Sequence, residues 1–474
     1  MRRLICYNLK FYVMRKILYF GMGFLMLVVS CKKDDPIRPD VDKTETLSGM
    51  ITESTTLKAG VKYLLKGKVY VKNNAVLSIQ AGVIVEAEKF ENPAEKSALV
   101  ISKGSRLMIN GTADLPVVFT SASPTKAAGD WIGIIVLGKA PTNLTNAHLI
   151  GLDQSSADHE FGSTIADDNS GSIQYLRLEY GGGLNPAQEA EWEVDMASGL
   201  SLMGVGSGTV LEHVMVSNSR DDGFQFVGGN VNGKYLISYS NGDDDFDFDR
   251  GYTGRLQFLI GYKTGLSNLV LRANGMESLN DIDASALLPY TRPIVSNMTI
   301  LGPTTISNDL SNLSQGIYIR KNTRFLVRNS IIAGYTSGGL MLCPKTKPLL
   351  VNNLGSQFKF NLINDDIPER AFTYDTGGSG LNIIADPEVE NYAVETNPIQ
   401  KQSLNRNTLI TQIDQLKLKS LNPPSVNLAP QAQSAALSGA DFADQEYSSF
   451  FTQVAFRGAI GSDNWTLGNW TNWK

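Results

Sequence analysis

The chain has 474 residues, 42% of them hydrophobic, with 42 basic against 47 acidic side chains and a net charge of −5. That apolar content excludes a chain disordered throughout, and a negative balance without a basic stripe excludes a nucleic-acid partner. Three dispersed histidines (His148, His159, His213) and the lack of HExxH or CxxC argue against a zinc or thiol redox centre.

The first element is an apolar run from Ile17 to Val29, preceded by Arg15 and Lys16. It has the length and flanks of a signal-peptide core and is short for a membrane span. It ends VVSC, a small residue followed by Cys31, the pattern of a lipobox, so Cys31 is expected to be the lipidated N-terminus. Met14 would serve as a start as well as Met1. The expected division is a lipoprotein signal peptide over 1–30, a flexible tether over 31–47, a solenoid over 48–440 and a C-terminal cap over 441–474. The tether KKDDPIRPDVDKTET is polar, carries two prolines and has no apolar period. Its Lys33-Asp34-Asp35 resembles the lysine-plus-acids signal that sends Bacteroidota lipoproteins to the outer face of the outer membrane. Cys343 is expected to be a buried, inert thiol.

From Leu47 onward short β-rich runs replace any helical period: KVYVKN, AVLSIQAGVIVEA, GIIVLG, IQYLRLEY, VLEHVMVSN, KYLISYS, LQFLIGY and FLVRNSIIAG among them. Gly, Asn or Asp closes nearly every run, as strand-bounding turns require. DDGFQF at Asp221 recurs as DDDFDF at Asp243, an offset of 22. That offset stacks Leu202, Phe224 and Phe246 in one column, and Val214, Leu236 and Phe258 in another. Stacked apolar columns at this period predict an all-β fold, a single-stranded right-handed parallel β-helix of about 22 residues per turn. Insertions are expected near 150–170, 184–198, 276–293 and 345–400. Trp465, Trp470 and Trp473 read as part of a cap, or as a sugar-stacking platform.

AVLSIQAGVIVEA, INGTADLPVVFTS, GDWIGIIVLGKAP, SGSIQYLRLEYGGG, SRDDGFQFVGG, NGDDDFDFDRGYTGRLQF and FRGAIGSDNW together resemble a family of Bacteroidota outer-membrane lipoproteins with a right-handed parallel β-helix. These stretches span most of residues 60–470. The resemblance implies fold and envelope location, and no settled activity comes with it. Some members carry a C-terminal sorting domain; here Cys31 is expected to supply the attachment.

The stretch NGDDDFDFDRG concentrates the charge. Alternation along a strand turns Phe246 and Phe248 inward and Asp245, Asp247 and Asp249 outward, with Asp243 on the same side. Asp221 and Asp222 are expected under Asp243 and Asp244, about 4.8 Å away. Two carboxylates at that distance repel by about 3–4 kcal/mol at an effective dielectric of 20, and by roughly 1 in water. Hydration, a bridging calcium ion or a catalytic role would each relieve that repulsion. Calcium takes 6–8 oxygens, and the candidate ligands are Asp221, Asp222, Asp243, Asp244, Asp245, Asp247, Asp249 and Glu277, with Asp281 and Asp283 next in line. Gly242-Asp243-Asp244 looks like part of the polygalacturonase motif, but the Gly-His-Gly element is missing. A calcium-dependent lyase would need a base, for which Arg250, Arg272 and Lys234 are the candidates. No GxSxG is present, which disfavours an esterase. The expected function is a lipid-anchored, surface-exposed envelope protein. It binds a glycan or an outer-membrane transporter through a calcium-bound acidic face, with a calcium-dependent polysaccharide lyase as the alternative.

Overall fold

A computed structural model describes residues 43–474 apart from 93–94, 146, 149–156, 184–197, 265–271, 304–313, 365–369, 381 and 395–404. The predicted lipidation site Cys31 and the Lys33-Asp34-Asp35 signal lie outside the described residues. The expected parallel β-helix is present. Among the described residues, strands from Thr44–Ile51 to Thr408–Ile410 join one hydrogen-bonded network. Its pairings are parallel except Phe372–Asp375 with Ile383–Ala385.

Each central coil has a short strand and a longer, bent one: Leu200–Met203 then Val210–Ser217, Phe224–Val227 then Asn232–Tyr239, Phe246–Asp249 then Arg255–Tyr262. Alternation sends every second side chain inward, so like positions stack from coil to coil. One core column runs Leu200, Phe224, Phe246, Met276, Ile317, Leu340. The next runs Leu202, Phe226, Phe248. The rings of Phe224 and Phe246 stack at 5.4 Å, and those of Phe226 and Phe248 at 5.1 Å.

Two predicted columns shift. Leu202 lies under Phe226, and Leu200 takes the place under Phe224. Leu236 pairs with Leu259, so Phe258 falls outside the core column. The cause is a bend in the long strand, where one residue per coil takes positive φ: Tyr175, His213, Tyr235, Phe258 and Asn297. Such a conformation is disfavoured for side chains carrying a Cβ. Stacking offsets it, with ring centroids 4.4, 4.5 and 5.1 Å apart up the column from Tyr175 to Phe258. Burial pushes the His213 imidazole down to about 4, so it stacks as a neutral ring.

The predicted boundaries also move. The strand Thr44–Ile51 begins inside the expected tether. The stretch 345–400, expected as an insertion, holds helices Lys347–Val351 and Pro387–Val394 and the strands Gln357–Lys359, Leu362–Asn364 and Phe372–Asp375. Val389 and Ala393 from the second helix join the main core, so these elements close that end of the stack. Met276–Ser278 is a strand rather than the start of an insertion.

The C-terminal segment is not an end cap. It folds back and forth over the flank, with Leu421 at Tyr262 and Thr452 at Gln257, and from Arg457 to Asn469 it runs against the direction of the coils. Arg457 Nη1 donates to Thr408 Oγ1 at 3.3 Å, the Gly458 amide to the Asn329 carbonyl at 2.7 Å, and the Asn469 amide to the Ala113 carbonyl at 3.1 Å. Met215, Ile237, Ile260, Leu301 and Ile331 point outward from their strands and form a second core under this strap. Trp470 packs edge-on to Tyr175 and His213, and Trp473 edge-on to Tyr239. Both indoles are buried, which removes them as a sugar platform. Cys343 is free and buried, as expected.

Candidate functional site

The acidic stretches lie in the turns ahead of Phe224–Val227 and Phe246–Asp249. Turn carboxylates accept hydrogen bonds from backbone N–H groups that the strands leave free. Asp222 Oδ1 accepts from the Asp244 amide at 3.0 Å, and Asp244 Oδ1 accepts from the Asn274 amide of the coil above. Ser198 Oγ donates to Asp222 Oδ2 at 3.2 Å. These braces align successive turns, and the alignment stacks the acids.

Asp221, Asp222 and Asp243 converge at this edge, with one carboxylate oxygen from each within 4.8 Å of the others. Asp221 and Asp243 are partly exposed, and Asp222 is buried. Burial first, and then the charges of Asp221, Asp247 and Asp243, raise the Asp222 carboxyl well above the usual carboxylate range. Burial and the Asp243 and Glu277 charges do the same to Asp244. The arrangement offers hard oxygen ligands to a cation, the donor chemistry that calcium takes.

Asp247 and Asp249 extend the cluster along the outward face of their strand. Burial, then the charge of Asp249, raises Asp247 well above its ordinary value; burial, opposed by Arg250, holds Asp249 at about 6. The two carboxyls interact, which raises Asp247 further and opposes the rise of Asp249. Asp247 also accepts from Gln225 Nε2 at 3.3 Å. Glu277 stacks above Asp247 and is engaged by Arg320 at 2.6 Å and by Asn274 Nδ2 at 3.0 Å. Beyond it, the Tyr318 hydroxyl donates to Asp375 at 2.6 Å.

Asp245 departs from the expected outward comb. The strand begins at Phe246, so period-two alternation does not reach back to Asp245. Its side chain turns into the coil, where Ser238 Oγ donates to Oδ1 at 2.6 Å and Lys263 Nζ lies 3.4 Å away. It is therefore no cation ligand. Burial raises its carboxyl to about 6, with Lys263 and Ser238 opposing. Simple hydration does not account for the cluster either, because Asp222, Asp244, Asp245 and Asp247 are all buried. Asp281 braces its own loop, accepting from the Asp283 and Ser285 amides, and Asp283 is exposed. Of the candidate bases, Arg250 adjoins Asp249, Arg272 donates to the Ser379 carbonyl, and Lys234 lies under the strap beside Thr452 and Phe450. Arg320, Ser238 and Lys263 join the site without standing among the sequence candidates. Lys263 could have stood among them: Leu259, Gly261 and Lys263 alternate inward.

The fold and this edge define a parallel β-helix with a partly buried acidic cluster across adjacent coils. The chain belongs to the pectate-lyase like beta helix domain family, which matches residues 49–371, more than half of its length. Among solved structures it is similar to the Dettilon tailspike protein (gp208), with 12% identity and a TM-score of 0.19 over 68% of this chain and 61% of that one. No curated protein matches the sequence.

Proposed function

We propose that this chain is a lipid-anchored envelope protein that binds an acidic glycan through a divalent cation, calcium by donor chemistry, held at Asp221, Asp222 and Asp243. The observation that carries the reading is the convergence of those three carboxylates at a partly exposed coil edge. Crowded anions repel; a bound cation would offset that repulsion and present positive charge to uronate carboxylates. Membership of a pectate-lyase-like family fits a ligand of this class. Attachment would be through Cys31, with Lys33-Asp34-Asp35 directing the protein to the outer face of the outer membrane, as in the Bacteroidota lipoproteins it resembles. An outer-membrane transporter is the partner that such a location suggests.

Calcium is expected to raise the melting temperature and EDTA to lower it, and an Asp221→Ala/Asp243→Ala double variant to lose that response. An unchanged melting temperature in the parent protein would remove the cation from the reading. Calcium-dependent retention on immobilised polygalacturonate or alginate, absent in the double variant, tests the glycan. For attachment, Cys31→Ala is expected to move the protein from the membrane fraction to the soluble one.

A lyase is the second reading, favoured by the family and by Arg250 adjoining the acidic strand. It requires release of ultraviolet-absorbing unsaturated uronates from acidic polysaccharide by the parent protein and not by the double variant. Binding without such products leaves the first reading alone.

A further inference from the structure

Ahead of the short strands, one residue per coil faces an inner corner: Gly199, Gly223, Asp245, Gly275, Gly316 and Gly339. The glycines leave room for an aliphatic side chain across the corner. A Cβ would stand 2.3 Å from Val216 at Gly199, 2.7 Å from Ile300 at Gly275 and 2.2 Å from Ile332 at Gly316. Two adjacent coils depart from this together. Ser238 and then Gly261 occupy the register of Val216 and Ile300. Asp245 replaces the glycine, and its Oδ2 would lie 2.5 Å from a Cβ at Gly261. Lys263 enters the same space.

Lys263 and Asp245 are both fully buried, yet they make a poor ion pair. Nζ is 3.4 Å from Oδ1 and is held by the Asp243 carbonyl. Ser238 Oγ donates to Oδ1, and Asn241 Nδ2 fixes that hydroxyl at 2.8 Å. Oδ2 has no hydrogen-bond partner among the described residues. A fully buried charge pair with one carboxylate oxygen unpaired among the described residues is costly. An amide made from the same two side chains carries no charge and lacks that oxygen.

We propose that Lys263 and Asp245 condense into an isopeptide bond inside the coil. One ammonium proton passes to Oδ2; the neutral Nζ then attacks Cγ, forming the C–N bond, and the Cγ–Oδ2 bond breaks. Oδ2 leaves as water with two of the three ammonium protons; the third stays on the amide nitrogen. Oδ1 remains as the amide carbonyl, and no oxidant or cofactor takes part. The Ser238 hydroxyl stabilises the charge that develops on Oδ1, as a preorganised donor does, and Asn241 positions that hydroxyl. The bond closes a ring over residues 18 apart and locks one turn of the solenoid.

Mass spectrometry of the full chain tests this without any ligand. After denaturation and trypsin, peptides 235–250 and 256–272 are expected joined, one water lighter than their sum, with no cleavage after Lys263. Lys263→Arg should abolish the joined species, and Ser238→Ala should reduce its fraction. Separate peptides with cleavage after Lys263 would overturn the proposal. So would a loss of water with the peptides still apart, which marks an aspartate cyclised on its own backbone. The parent protein alone decides the matter if a variant does not fold.

Discussion

Asp247 and Asp249 lie two positions apart on one strand and both titrate above the ordinary carboxylate range, so their titration couples to folding. Both carboxyls sit above their ordinary values, mainly because burial disfavours the charged form. The folded chain therefore holds more protons than the unfolded one between about pH 4 and about pH 6, the latter set by Asp249. Their contribution is fully present below the unfolded value and is lost as pH rises through the folded one. With EDTA present, the melting temperature is expected to fall as pH rises from about 4 through about 6, and Asp247→Asn to flatten that slope. A rise over the same window would contradict the assignment. The pairing of Asp221 with Asp243 was legible because a 22-residue repeat lays one acidic turn on the other. The inward turn of Asp245 was not, because alternation holds only within a strand and that residue precedes one.

At the scale of elements, the strap and the bent strands depend on each other. The column from Tyr175 to Phe258 keeps its positive φ values where rings stack, and Trp470 closes its outer side. Truncating a buried aromatic costs about 3–5 kcal/mol. Trp470→Ala is expected to destabilise by about that much in a denaturant titration, whereas Leu467→Ala, at a position 64% exposed, should change little. Equal effects would deny the strap a packing role. Strand runs were readable because alternation and turn residues are local properties. The bend displaced the predicted columns because one left-handed residue per coil slips the count. The strap reads as a cap in the sequence because its contacts, such as Asn469 with Ala113, join residues far apart in sequence and leave no period.

The whole stack is a chain of nearest-neighbour contacts, in which each coil is held mainly by the ones above and below. Such an array opens from its weaker end, and the two ends differ. At one end Thr44–Ile51 is an outer strand, mostly exposed, whose described pairing is with Lys62–Val71 alone. At the other, the helix Pro387–Val394 puts Val389 and Ala393 into the core. Between them the strap adds contacts that skip coils, joining Ala113, Tyr175, Gln257, Asn329 and Thr408 to one continuous segment. Opening any strapped coil must then strain contacts several coils away, so those coils should open together. Among the described residues, the coils before Ala113 have no such tie. Hydrogen exchange is therefore expected to be fastest at Thr44–Ile51, intermediate at Val76–Gln80, and slow and uniform from Leu200–Met203 to Ile294–Leu301. Removing residues 463–474 should speed exchange at Val210–Ser217 and Asn232–Tyr239 and leave Val76–Gln80 unchanged. If the central strands kept their protection without that segment, stacking alone would account for the cooperativity, and the strap would be a passive cover.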